Sequence, residues 1–104
     1  MDSNEREQLQ ALDQIASVLA RIEDRKLIRE LLICILTKYE IKEIAGRWEL
    51  VKLLYEGMSQ RRIAEQLGMS LCKITRGSKE LKKRDSAFKT VLDSYVEHDT
   101  PEDD

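Results

Sequence analysis

The run Leu31-Leu32-Ile33-Cys34-Ile35-Leu36 is apolar without interruption. It continues a helical stripe that begins at Leu27 and Ile28. A helix that is apolar nearly all round must be buried. The chain has 104 residues, of which 37% are charged, and its few aromatics are Tyr39, Trp48, Tyr55, Phe88 and Tyr95. One copy of such a chain has little core in which to hide that helix, whereas two copies can cover it between them. The expected state is a homodimer.

The rest of the chain reads as helices with their own start and stop signals. Leu9, Leu12, Ile15, Ala16, Leu19 and Ile22 line one face of a first helix. Glu23-Asp24 open the second, where acids suit a helix N-terminus. Thr37 and Glu40 have capping-box spacing and start a third helix, with Ile41, Ile44, Trp48, Val51 and Leu54 as its stripe and Gly57 as its stop. After Arg84-Asp85-Ser86, a last helix carries Ala87, Phe88, Val91, Leu92, Tyr95 and Val96. With the two helices between Ser59 and Lys83, the pattern predicts an all-α fold of six helices without strands. It assigns 1–98 to one helical domain and 99–104 to an acidic, solvated, disordered tail.

Those two intervening helices carry the functional signal. Ile63, Ala64 and Leu67 recur at helical spacing, Gly68 breaks the pattern, and Ser70 can cap a second helix bearing Leu71 and Ile74. Ala64 allows close approach and Gly68 a tight turn, so 59–79 reads as a helix-turn-helix. Between Ser59 and Arg84 the basic residues are Arg61, Arg62, Lys73, Arg76, Lys79, Lys82, Lys83 and Arg84, against Glu65 and Glu80 alone. The whole chain has a net charge of −2, so this segment is a local basic patch suited to DNA phosphates.

Nothing in the sequence has the arrangement of a catalytic site, so the chain is not expected to be an enzyme. Cys34 and Cys72 lack a partner at metal-ligand spacing and are expected to be reduced and packed. His98 is the only histidine, and no metal site is expected. No apolar run approaches a membrane span and no signal peptide precedes the domain, which places the chain in the cytoplasm without a membrane partner.

Ile74-Thr75-Arg76-Gly77-Ser78, preceded by Met58-Ser59-Gln60-Arg61, resembles the reading head of the bacterial tryptophan repressor family. The likeness extends to Leu36-Thr37 and Arg47 and covers about half of the chain. It implies an intertwined six-helix homodimer that binds a palindromic operator in double-stranded DNA, with L-tryptophan as corepressor. The family holds its ligand between two arginines, which the motifs place at Arg47 and Arg76. Arg76 would pair with the carboxylate, and Gly77 would let the ring approach the backbone. The carbonyls of Cys34 and Leu36 would accept from the amino group, with Thr37 at the same edge.

The chain departs from the family pattern in two places. The spacing from Arg47 to the reading head is one residue shorter, and Glu80 stands where the family often has a small residue. Glu80 would pair with a ligand ammonium or repel its carboxylate. On the DNA side, Arg61, beside Gln60, would reach a guanine. Lys73 and Lys82 suit phosphates, Thr75 can donate to one, and Cys72 would act through backbone, apolar contact or water. Leu71 is expected to be partly core and partly interface. The reading is an effector-controlled transcriptional repressor. The alternatives are a constitutive regulator of the same superfamily and a helical protein-interaction module.

Overall fold

The computed structural model describes residues 2–98, and the expected acidic tail at 99–104 lies outside them. Six helices and no strands occur among the described residues: α1 (Ser3–Arg21), α2 (Arg25–Ile35), α3 (Lys38–Tyr55), α4 (Gln60–Leu67), α5 (Leu71–Lys82) and α6 (Ala87–His98). The all-α expectation holds.

Local chemistry sets the boundaries. Asp2 accepts from the Glu5 N–H at 2.8 Å and caps α1, and Asp24 accepts from the Lys26 and Leu27 N–H groups at 3.0 and 3.3 Å and caps α2. The capping box of α3 is reciprocal. The Thr37 N–H donates to Glu40 Oε1 at 2.9 Å, and the Glu40 N–H donates to Thr37 Oγ1 at 3.1 Å. These bonds hold the Glu40 carboxyl below the ordinary carboxylate range, the Thr37 backbone N–H contributing most.

At its far end α3 closes in a Schellman motif. The Met58 N–H reaches the Leu53 carbonyl and the Gly57 N–H the Leu54 carbonyl, both at 3.0 Å, and Gly57 takes a φ of 94°. Gly68 likewise ends α4 in the left-handed region, at φ 65° and ψ 32°. Ser59, Ser70 and Ser86 accept from the N–H groups of Arg62, Lys73 and Lys89 and start the remaining helices.

The chain divides into two compact units, Met1–Ile41 and Lys42–Asp104. In the first, no residue of α1 or α2 is buried. Leu32, Ile33 and Ile35 are 42%, 48% and 54% exposed, so the apolar run that demands cover does not find it within its own unit.

The second unit has a core. Leu50, Val51 and Leu53 of α3 meet Ile63 of α4, Ile74 of α5 and Leu92 of α6, with Trp48, Leu54, Met69 and Phe88 packed around them. The stripe expected along α3 is only partly the buried one. Ile44 is 49% exposed, while Leu50 and Leu53, which lie off that stripe, are buried. Three other helices surround the C-terminal half of α3, so burial there follows the packing rather than a single face. Trp48 and Tyr95 stack edge to face, 5.5 Å between centroids at 88°.

Candidate functional site

Two small residues set the distances at this site. A Cβ built on Gly77 would lie 3.1 Å from Leu50 Cδ2 and 3.6 Å from Leu54 Cδ1. The bare backbone of α5 therefore packs directly on α3. Gly46 plays the matching part on α3, where a Cβ would lie 2.7 Å from Met69 Cε. The turn between α4 and α5 thus seats its methionine on a gap in α3. Gly77 was expected to admit a ligand ring to the backbone; the geometry gives it a packing duty as well.

Beside this contact lies a cavity of about 660 Å³, within the usual range of small-molecule sites. Lys42, Glu43, Arg47, Leu50 and Val51 line it from α3. Leu67, Gly68, Met69 and Ser70 line it from the end of α4 and the turn; Lys73, Arg76, Gly77 and Glu80 from α5; and Phe88 from α6. Leu50, Val51, Leu67, Met69 and Phe88 supply apolar surface, while charged side chains come from α3 and α5.

Those charges are unequally matched. Lys73 Nζ lies 3.6 Å from Glu43 Oε2, linking α5 to α3. Lys83 Nζ donates to Glu80 Oε1 at 2.8 Å, so Glu80 is paired along its own helix with a lysine that does not line the cavity. Lys42, Arg47 and Arg76 have no ion pair among the described residues. An apolar cavity with unpaired cations beside it can hold a flat apolar group and stabilise an anion attached to it.

Of the ligand residues expected from sequence, Arg47, Arg76, Gly77 and Glu80 all line this cavity. Cys34, Leu36 and Thr37 belong to the first unit. There Leu36 is the C-cap of α2, the Thr37 hydroxyl is engaged in the capping box, and Cys34 is an exposed free thiol. Sequence reasoning passed over Lys42, Glu43, Leu67, Met69 and Phe88. Glu43 stands one helical turn before Arg47 and was findable from that spacing. Phe88 was not, because only the tertiary fold brings α6 to the cavity.

The outer face of α5 is polar and open. Cys72, Lys73, Thr75, Arg76, Lys79 and Lys82 are exposed, as is Arg61 on α4. Thr75 Oγ1 donates to Gln60 Oε1 at 3.3 Å, so these two DNA candidates hold each other and the threonine proton is used within the chain. Two expectations change here. Leu71 is 58% exposed: it starts α5 on the outer side and leaves the place under α4 to Ile74, which is fully buried. Cys72 and Cys34 are free as expected but exposed rather than packed, because neither helix turns that face inward within the chain.

Comparison with known proteins adds to this geometry. A family model described as Trp repressor protein matches residues 10–95. A Trp operon repressor homolog of Chlamydia trachomatis serovar D is 35% identical over 81 residues, covering 77% of this chain and 86% of the relative. One from Xylella fastidiosa is 34% identical over 90 residues, covering 86% and 96%. One from Vibrio vulnificus is 33% identical over 85 residues, covering 81% and 83%.

Proposed function

We propose that this chain, which belongs to the Trp repressor family, is a DNA-binding transcriptional repressor whose operator affinity is set by a small effector, L-tryptophan as corepressor. The observation that carries the reading is the cavity lined by Arg47 from α3 and Arg76 from α5, neither in an ion pair among the described residues, with α5 also presenting the exposed basic face. An indole would lie in the apolar part between the guanidinium planes, and Arg76 would take the carboxylate. The carbonyls of Cys34 and Leu36 end α2, where a helix leaves acceptors without intrahelical partners, and with Thr37 they are assigned to the amino group.

The protein would act as a homodimer, the described helices forming one DNA-binding domain. The exposed apolar side chains of α1 and α2 support this, since a second copy would cover them. Helices α4 and α5 form the helix-turn-helix, with α5 entering the major groove of each half of a palindromic operator. Arg61 would reach a base, with Gln60, Leu71 and Cys72 beside it, while Lys73 and Lys82 would meet phosphates and Thr75, on release from Gln60, would donate to one. Effector binding would favour the head position that fits both half-sites. The work is that of a cytoplasmic regulator with no catalytic step and no metal.

Calorimetry with L-tryptophan, paired with DNA binding across a salt series, tests the reading. It expects saturable heat and a tighter complex with ligand present, with affinity falling steeply as salt rises. Replacing Lys82 by Ala should lower the salt slope by about one unit, as for one lost phosphate. Absence of heat with DNA binding intact would leave a regulator that needs no effector. Absence of DNA binding at every salt concentration would leave a protein-interaction module.

A further inference from the structure

Gly46 lies in the interior of α3, where glycine is among the poorest residues for helix stability. It does not serve a special backbone conformation, since among the described residues only Gly57 and Gly68 take a positive φ. What it supplies is the absence of a side chain. A Cβ built there would lie 2.7 Å from Met69 Cε. Apart from its chain neighbours and the surrounding helix backbone, no other atom of the described residues comes within 4 Å of that Cβ. One methyl group, the far end of an unbranched and adaptable side chain, therefore fills the notch. Gly77 differs, because a Cβ there would meet the branched side chains of Leu50 and Leu54. Met69 is half-buried in the turn between α4 and α5 and packs against the core. It also lines the cavity, as does Arg47, the residue after Gly46.

We propose that Met69 is a specificity-determining wall of the effector cavity, and that Gly46 is the positioning residue that keeps its methyl group out of the space the effector ring needs. This rests on the effector reading argued above. With the notch open, the end of Met69 lies on α3 and the cavity beside it stays clear. A side chain at position 46 would evict that methyl. A packed core has no spare room for it, so the cavity is the side to which it turns. There it competes with the apolar part of the ligand. Rotation about the methionine torsions makes the eviction cheap for the fold, and the cost falls on the ligand. The pair thus sets how wide a ring the cavity takes. The effector it fits is a ring that carries no added group on the edge facing the α4–α5 turn.

The test uses the full-length protein and calorimetry. Wild type, Gly46→Ala, Met69→Ala and the double variant are each titrated with L-tryptophan and with its four benzo-ring monomethyl isomers. Circular dichroism checks that each variant is folded. Gly46→Ala should weaken L-tryptophan about tenfold, the scale of one misplaced methyl group in an apolar site. In the Met69→Ala background the same change should cost nothing, because no methyl remains to be evicted. Met69→Ala alone should improve at least one methyl isomer relative to L-tryptophan, by about four- to tenfold. This second readout does not depend on Gly46→Ala being folded. An equal loss from Gly46→Ala with and without Met69 would be an effect of the helix itself and would overturn the proposal. Unchanged selectivity in Met69→Ala would also overturn it, by placing the methionine beyond reach of the ring. If wild type binds L-tryptophan and folded Gly46→Ala binds it equally well, this inference fails alone. If wild type gives no heat with L-tryptophan or any methyl isomer, the effector reading beneath it fails.

Discussion

The Tyr55 hydroxyl donates to Asp93 Oδ1 at 2.5 Å, tying the last turn of α3 to the middle of α6 across 38 residues of sequence. Lys89 Nζ reaches the other oxygen of the same carboxylate at 3.2 Å. The Tyr55 hydroxyl, and then the Lys89 ammonium, hold the Asp93 carboxyl below its ordinary value. The carboxylate in turn holds the Tyr55 phenol above its own.

The two shifts bound a pH window. Asp93, with its folded-state value lowered, contributes stability above the unfolded value of about 3.9 and loses it as pH falls through the folded value. Tyr55, with its value raised, contributes stability below the unfolded value of about 10 and loses it as pH rises through the folded value. Tyr55→Phe should therefore lie below wild type by a constant amount across the neutral range. The gap should narrow on the acid side and again on the alkaline side. Urea unfolding of both proteins over that range checks this, and a gap independent of pH would contradict it.

The α4–α5 pair gives a contrast between two apolar residues three apart. Ile74 is fully buried, and Ile74→Ala should cost about 2–5 kcal/mol of unfolding free energy. Leu71 is 58% exposed, and Leu71→Ala should stay within about 0.5 kcal/mol of wild type. Denaturant midpoints measure both, and equal losses would mean that Leu71 is covered in the folded protein.

At the cavity, Arg76→Ala should lower L-tryptophan affinity by about 2–3 kcal/mol through loss of a charge-assisted pair and a stacking face. Arg76 is exposed and outside the core, so the thermal midpoint should hardly move. Arg47→Lys should also weaken binding, because it keeps the charge but loses the planar face. Calorimetry alongside thermal unfolding separates the two effects, and an unchanged affinity for both variants would remove the arginines from the site.

The apolar face of the first unit makes a prediction about assembly. Leu32→Asp places a charge among side chains that have no cover within their own unit, so it should dissociate the proposed dimer and lower the soluble yield. Sedimentation velocity at micromolar concentration reads this directly. A stable helical monomer from the unmodified chain would contradict the dimer.

What the amino-acid order determined alone is what bonds of two to four residues' reach can decide. Asp24, Ser59, Ser70 and the Thr37–Glu40 pair each cap a helix through neighbouring N–H groups, and Gly57 and Gly68 end helices with a backbone conformation that other residues rarely adopt. The six-helix pattern, and the ITRGS run at 74–78 that implied the family, were legible for that reason. Tertiary structure decided the contacts between residues far apart in the chain. Glu43 meets Lys73, Gln60 meets Thr75, and Met69 rests on Gly46 only because α3, α4 and α5 pack together. The same packing buries Leu50 and Leu53 while leaving Ile44 and Leu71 exposed, although all four are equally apolar to a periodicity reading. Helical periodicity ranks the faces of one helix, but which face is covered, and by what, depends on neighbours whose positions no local bond sets.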